Sequence, residues 1–146
     1  IVLAAVRQKW EALRWAAESC RSDHEIVLAA VRQNWQALEY AEESCKRDTR
    51  IILTAVRQNG YAFRHASKSV KGDRSVVLAA VKESGHALQH CAEACKSDHE
   101  IVLAAVEQSG QSLAWAAAAC KGHREIVLTA VKQNAHALAY ASDDLL

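Results

Sequence analysis

Residues 26–50 read IVLAAVRQNWQALEYAEESCKRDTR, and the chain writes that phrase six times. The copies span 1–25, 26–50, 51–75, 76–100 and 101–125, with a shortened one at 126–146. A fixed period of this length marks an array in which each unit buries its apolar face only against its neighbours. Within residues 23–46, Val27, Leu28, Val31 and Trp35 fall on one stripe of a helix, and Ile26 and Ala30 flank it. The first segment of the repeat is therefore apolar over most of its circumference and leaves only Arg32 and Gln33 outside. A second helix is expected over 36–46, burying Ala37, Leu38, Ala41 and Cys45 beneath Glu39, Glu42, Glu43 and Lys46. The fold class is thus all-α: an α-solenoid of tandem 25-residue helical hairpins, residues 1–146 forming one repeat array.

The boundaries of the hairpin carry their own signals. Asp23, Asp48, Asp73 and Asp98 stand where a side chain can accept hydrogen bonds from the free N–H groups of the first helix. Ser22 with Glu25, and Ser97 with Glu100, have capping-box spacing. Asn59-Gly60, Ser84-Gly85 and Ser109-Gly110 separate the two helices, glycine being suited to a left-handed helix end. Arg21, Lys46, Lys71, Lys96 and Lys121 close the second helix, at the negative end of its dipole. Two rival folds fail: recurring glycines argue against one continuous rod, and Leu28-Ala29-Ala30-Val31 lacks the alternation of a leucine-rich repeat. Leu78, in a middle copy, is expected in the core.

Composition narrows the function. Lys plus Arg is 18 and Asp plus Glu is 17, a net charge of +1, which argues against a dedicated nucleic-acid binder. Every apolar block is cut short by charged or amide residues, so no transmembrane segment is expected. The chain has no Met and opens inside a repeat, and so reads as an excerpt of a longer protein. Of five Cys, Cys20, Cys45, Cys95 and Cys120 share one repeat position. Stacked helices lie about 8–10 Å apart, beyond the ~7 Å Cα separation of a disulfide. Free thiols are expected, which favours a reducing intracellular compartment.

The phrases Ile126 to Asn134 and Tyr140 to Leu145 resemble a family of short helical repeats catalogued as a domain of unknown function. Its consensus is approximately D-R-E-V-V-L-x-A-V-x-Q-N-G-x-A-L-x-Y-A-S-x-E-L-K, and its members are common in algae and other protists. The resemblance covers all six copies and implies no activity, catalytic residue or cofactor. It raises the expectation of an accessory subunit of an algal organellar complex such as a photosystem. The chain departs from the consensus where Gly becomes Trp10 and Trp35, and where Leu becomes Cys at the shared cysteine position.

His86, His90, Cys91 and Cys95 form two i, i+4 pairs, but their angular offset makes a single tetrahedral zinc site awkward. His90 holds the slot of Tyr40 and Trp115 and reads as an aromatic substitution. Ser19, Ser44 and Ser69 recur with the repeat, and no nucleophile–base pair or phosphate loop stands out. No catalytic residue, metal ligand or cofactor site is assigned.

The surface offers more. Arg7, Arg32, Arg57, Lys82 and Lys132, interrupted by Glu107, form a basic ladder on the first helix. Gln8, Gln33, Gln58, Gln108 and Gln133 run beside it. Arg7, Gln8, Arg32, Gln33, Arg57, Gln58, Lys82 and Lys132 form with Trp10 and Trp35 the expected partner-binding set, while the opposite layer carries Glu18, Glu43, Glu93 and Asp143. The function they imply is a non-catalytic scaffold binding other proteins, peripheral to a larger assembly. The alternative is a single-stranded RNA-binding repeat protein, against which the constant glutamines count, since a base-reading code needs variable residues.

Overall fold

The computed structural model describes residues 1–145. Six main helices recur with the sequence period: α1 Val2–Gln8, α2 His24–Gln33, α3 Thr49–Gln58, α4 Arg74–Glu83, α5 His99–Gln108 and α6 Arg124–Gln133. Each is followed by one extended residue and a six-residue 3-10 helix, the latter at Trp10–Trp15, Trp35–Tyr40, Gly60–His65, Gly85–His90, Gly110–Trp115 and Ala135–Tyr140. A short helical turn then closes the repeat, as at Glu18–Arg21 or Lys68–Lys71. There is no strand among the described residues. Each main helix packs on the next main helix, and each 3-10 helix on the next, giving two parallel layers with the core between them.

The apolar stripe of the first segment is as the sequence implies. In α2, Val27, Leu28, Ala30 and Val31 are buried while Arg32 and Gln33 are exposed. The second segment differs. No continuous helix spans 36–46: the chain leaves the 3-10 helix at Ala41 in an extended conformation, φ −73° and ψ 148°. The reason is a hydrogen bond between repeats. Glu42 N donates to Arg21 O, and Ser67, Ala92, Ala117 and Ser142 donate likewise to Lys46, Lys71, Lys96 and Lys121. An N–H spent on the preceding repeat cannot also bond four residues back, so the helix must break there.

The helix starts are as expected, with one correction. Asp23 accepts from Glu25 N and Ile26 N, Asp48 from Arg50 N and Ile51 N, and Asp73 from Ser75 N and Val76 N. Asp98 accepts from Ile101 N. The capping boxes do not form. Asp is the cap, one residue too late for that spacing, and Ser22 and Ser97 instead donate back to Glu18 O and Glu93 O.

The glycines also work differently from expectation. None has a positive φ. The helix stops because Asn34, Asn59 and Asn134 adopt extended backbone while their side chains accept from Gln36, Tyr61 and His136 N, so one residue ends the α-helix and caps the 3-10 helix. Glycine follows for space. A Cβ on Gly110 would lie 2.3 Å from Ala130 O, and one on Gly85 2.5 Å from Ala105 O.

Candidate functional site

The basic ladder is exposed along the C-terminal turns of the main helices. Arg57 is engaged, its Nε 3.1 Å from Glu83 Oε1, whereas Arg7, Arg32, Lys82 and Lys132 make no ion pair among the described residues. The glutamine ladder is not a free surface. Gln33 Nε2 donates to Val6 O at 2.6 Å, and Gln58 Nε2 donates to Val31 O. The carbonyl oxygens of Gln58, Gln108 and Gln133 accept from Trp35 N, Gly85 N and Gly110 N at 2.8, 2.6 and 2.6 Å. Each glutamine thus reaches back to the end of the preceding main helix, where backbone groups lack helical partners. A primary amide both donates and accepts, which suits it to this position, glutamine in five of the six copies. Glu83, which cannot donate, turns to Arg57 instead. Gln8, in the first repeat, is exposed.

The 3-10 layer carries the most distinctive chemistry. One position in every repeat holds a ring: Trp15, Tyr40, His65, His90, Trp115 and Tyr140. From the second repeat to the fifth, that ring meets one from the repeat before. Trp10 stacks on Tyr40 with centroids 6.4 Å apart, and Trp35 lies 6.2 Å from His65. Tyr61 meets His90 edge-on at 5.0 Å, and His86 meets Trp115 at 5.4 Å. Trp35 and Tyr61 also contact edge-on at 6.2 Å, joining two steps into one staircase. Offset and edge geometries of this kind are favourable between rings. Arg14 lies over Trp15 and Tyr40 at 4.9 and 5.9 Å, and Arg64 over Tyr61 at 4.9 Å while also donating to its hydroxyl. A cleft of about 210 Å³ opens among Trp35, Gln36, Glu39, Tyr61, Arg64 and His65. It offers ring faces, a carboxylate and a guanidinium in one side-chain-sized space.

Burial pushes His65 and His90 below the ordinary histidine range, and nearby cations add to it: Arg64 and Lys46 for His65, Lys71 and Arg64 for His90. Both shifts favour the neutral imidazole in the staircase. A base whose folded pKa is depressed takes its proton in the unfolded chain first. The stability it contributes is complete above its unfolded pKa of about 6.5 and is lost as pH falls through the folded value. Asp98 is held below the carboxylate range by its hydrogen bond from Arg74. At Asp48 burial pushes up, but the His24 hydrogen bond and two backbone N–H bonds win. Those carboxylates contribute above about pH 4 and fail below it. Urea midpoints should therefore drop in two stages, and H65Q with H90Q should flatten the upper stage alone. A single stage confined to strong acid would contradict the neutral staircase.

His86, His90, Cys91 and Cys95 go separate ways. The two imidazoles face Trp115 and Tyr61, while Cys91 donates to Ala87 O and Cys95 lies against Lys71 O. All five cysteines are free, Cys20 half-buried and the others buried. Burial pushes the Cys91 thiol up to about 12, and raises Cys45, Cys95 and Cys120. Such thiols are poor nucleophiles.

Known families agree with the repeat reading. The family described as "Domain of unknown function (DUF4116)" matches residues 1–44, 34–71, 73–117 and 120–146, and the chain belongs to it. No curated protein and no solved structure matches the chain.

Proposed function

We propose that this member of the family is a non-catalytic α-solenoid scaffold that binds other proteins, as a peripheral subunit of a larger assembly. The observation that supports this reading is the aromatic staircase with its cleft at Trp35, Tyr61, Arg64 and His65. Trp, Tyr and Arg are the residues that most often anchor protein interfaces, and here they converge on a space that holds one side chain. Glu39 and the ring faces suit a basic or aromatic residue of a partner peptide. The exposed Arg32 and Lys82 lie on the neighbouring layer, where rim charges would steer an acidic segment.

The second reading, single-stranded RNA, has one observation in its favour: rings at regular steps flanked by Arg14 and Arg64 are what stacked bases require. Against it stand the near-zero net charge and glutamines committed to the fold.

A peptide-array selection followed by titration tests the assignment. Trp35→Gly and Tyr61→Gln install residues that other copies carry at those positions, so the fold should survive. Each is expected to weaken the selected peptide about 30-fold, the loss of a hot-spot anchor of about 2 kcal/mol. Unchanged affinity in both variants would remove the staircase as the docking face. Binding of oligo-uridine that falls steeply with salt would favour the RNA reading instead.

A further inference from the structure

We propose that His99, His123 and Glu125 form a transition-metal site of the zinc class that ties the start of α5 to the start of α6. The sequence signal is a broken rule. Four repeats place an aspartate before the main helix, and it caps that helix in each case. The sixth main helix has His123 there, and His123 makes no side-chain cap hydrogen bond. The chain gives up a stabilising cap at a junction where another histidine, His99, stands opposite.

The geometry gathers a donor set. The rings of His99 and His123 meet edge-on with centroids 4.4 Å apart, and His99 Nε2 lies 3.3 Å from Glu125 Oε2. One ligand atom from each of the three residues lies within 4.8 Å of the others. Two imidazole nitrogens and one carboxylate oxygen form a three-ligand set that leaves a fourth position to water. Metal–ligand bonds of about 2.0–2.1 Å place tetrahedral ligands about 3.3 Å apart, so the side chains need to close by at most about 1.5 Å. All three are exposed, so this needs no repacking of the core. The equivalent pair between the first two repeats shows what the histidine does opposite an aspartate: His24 Nδ1 bonds Asp48 Oδ2 at 2.6 Å, leaving one histidine and no second imidazole. The positive end of α6 and exposed Arg124 oppose a cation, and the charge of Glu125 offsets them. The resulting site is an open clamp between repeats, distinct from the aromatic staircase and independent of it.

The test uses the whole chain, zinc as the probe, and isothermal titration beside thermal unfolding. Wild type should bind one zinc ion and gain about 5–10 °C in Tm at zinc a hundredfold above its dissociation constant. H123N restores a good helix cap but removes a ligand. Its metal-free Tm should rise above wild type while its zinc affinity falls about tenfold or more. H99T, with the residue found at Thr49, should lose zinc without that gain. Cobalt(II) should give d–d bands without a thiolate charge-transfer band, since no cysteine belongs to the site. A thiolate band, zinc affinity unchanged in both variants, or no binding at millimolar zinc would each overturn the proposal.

Discussion

Leu88→Ala is expected to destabilise the array by about 2–5 kcal/mol, the cost of truncating a fully buried leucine. Leu88 sits on the 3-10 helix Gly85–His90 and has no accessible surface. It belongs to a column of fully buried side chains, Leu13, Leu38, Phe63, Leu88 and Leu113, one per repeat, that fills the space between the two layers. Its removal costs the transfer of the lost methyl groups plus a cavity, because both adjacent repeats are fixed by their own backbone bonds and cannot close in. The sixth residue of this column supplies an internal control. Leu138 is 47% exposed, so Leu138→Ala should cost under about 1 kcal/mol. Urea or thermal denaturation of the two variants checks this directly. Equal losses would mean that the column is not the core of the array. Leu78, which the helical stripe places in the core, is only half-buried and is the weaker target.

What the sequence made legible was whatever repeats locally. The period, the α2-type stripe and the aspartate caps are all decided within one copy, and the structure has them as read. What it hid was decided between copies. The pattern Ala37, Leu38, Ala41, Cys45 fits a continuous helix as well as the broken path observed. The choice falls to the bond from Glu42 N to Arg21 O, a partner 21 residues away. The glutamine ladder misled for the same reason: an amide on the exposed strip looks available until the preceding helix end is placed against it. Of the candidate site, Trp10 and Trp35 were found because they break the glycine rule. His65 occupies a position that holds a ring in all six copies, whereas Tyr61 and Arg64 stand at positions that vary from copy to copy and carry no such signal. The metal cluster draws residues from two repeats, and only the anomaly at His123 marks it in the sequence.

Adding a single methyl group to two glycines should produce opposite results. Gly110→Ala is expected to destabilise by about 1–3 kcal/mol, as overpacking does. The new Cβ would stand 2.3 Å from the backbone oxygen of Ala130 and 3.0 Å from Gln133 Oε1, and the first of these is held in α6. Moving aside would also strain the bond that Gly110 N donates to Gln133, so the fifth and sixth repeats would have to separate. Gly122→Ala should stabilise by about 0.4–1 kcal/mol. Gly122 has φ −97° and ψ −1°, which alanine adopts freely, and its nearest would-be neighbour, Ser142 Cβ, is 3.7 Å away. The gain comes from the unfolded chain, which has fewer conformations to lose. Trp10 and Trp35 show that the Gly110 position can hold a side chain when its ring has somewhere to go, against Tyr40 or against Tyr61 and His65. At Gly110 the neighbour is a carbonyl rather than a ring, and a methyl group gains nothing by meeting it. Denaturation midpoints of the two alanine variants decide the matter. If Gly110→Ala is neutral, the spacing of these repeats is looser than the close approach implies; if Gly122→Ala destabilises, the turn needs glycine for a reason its backbone angles do not show.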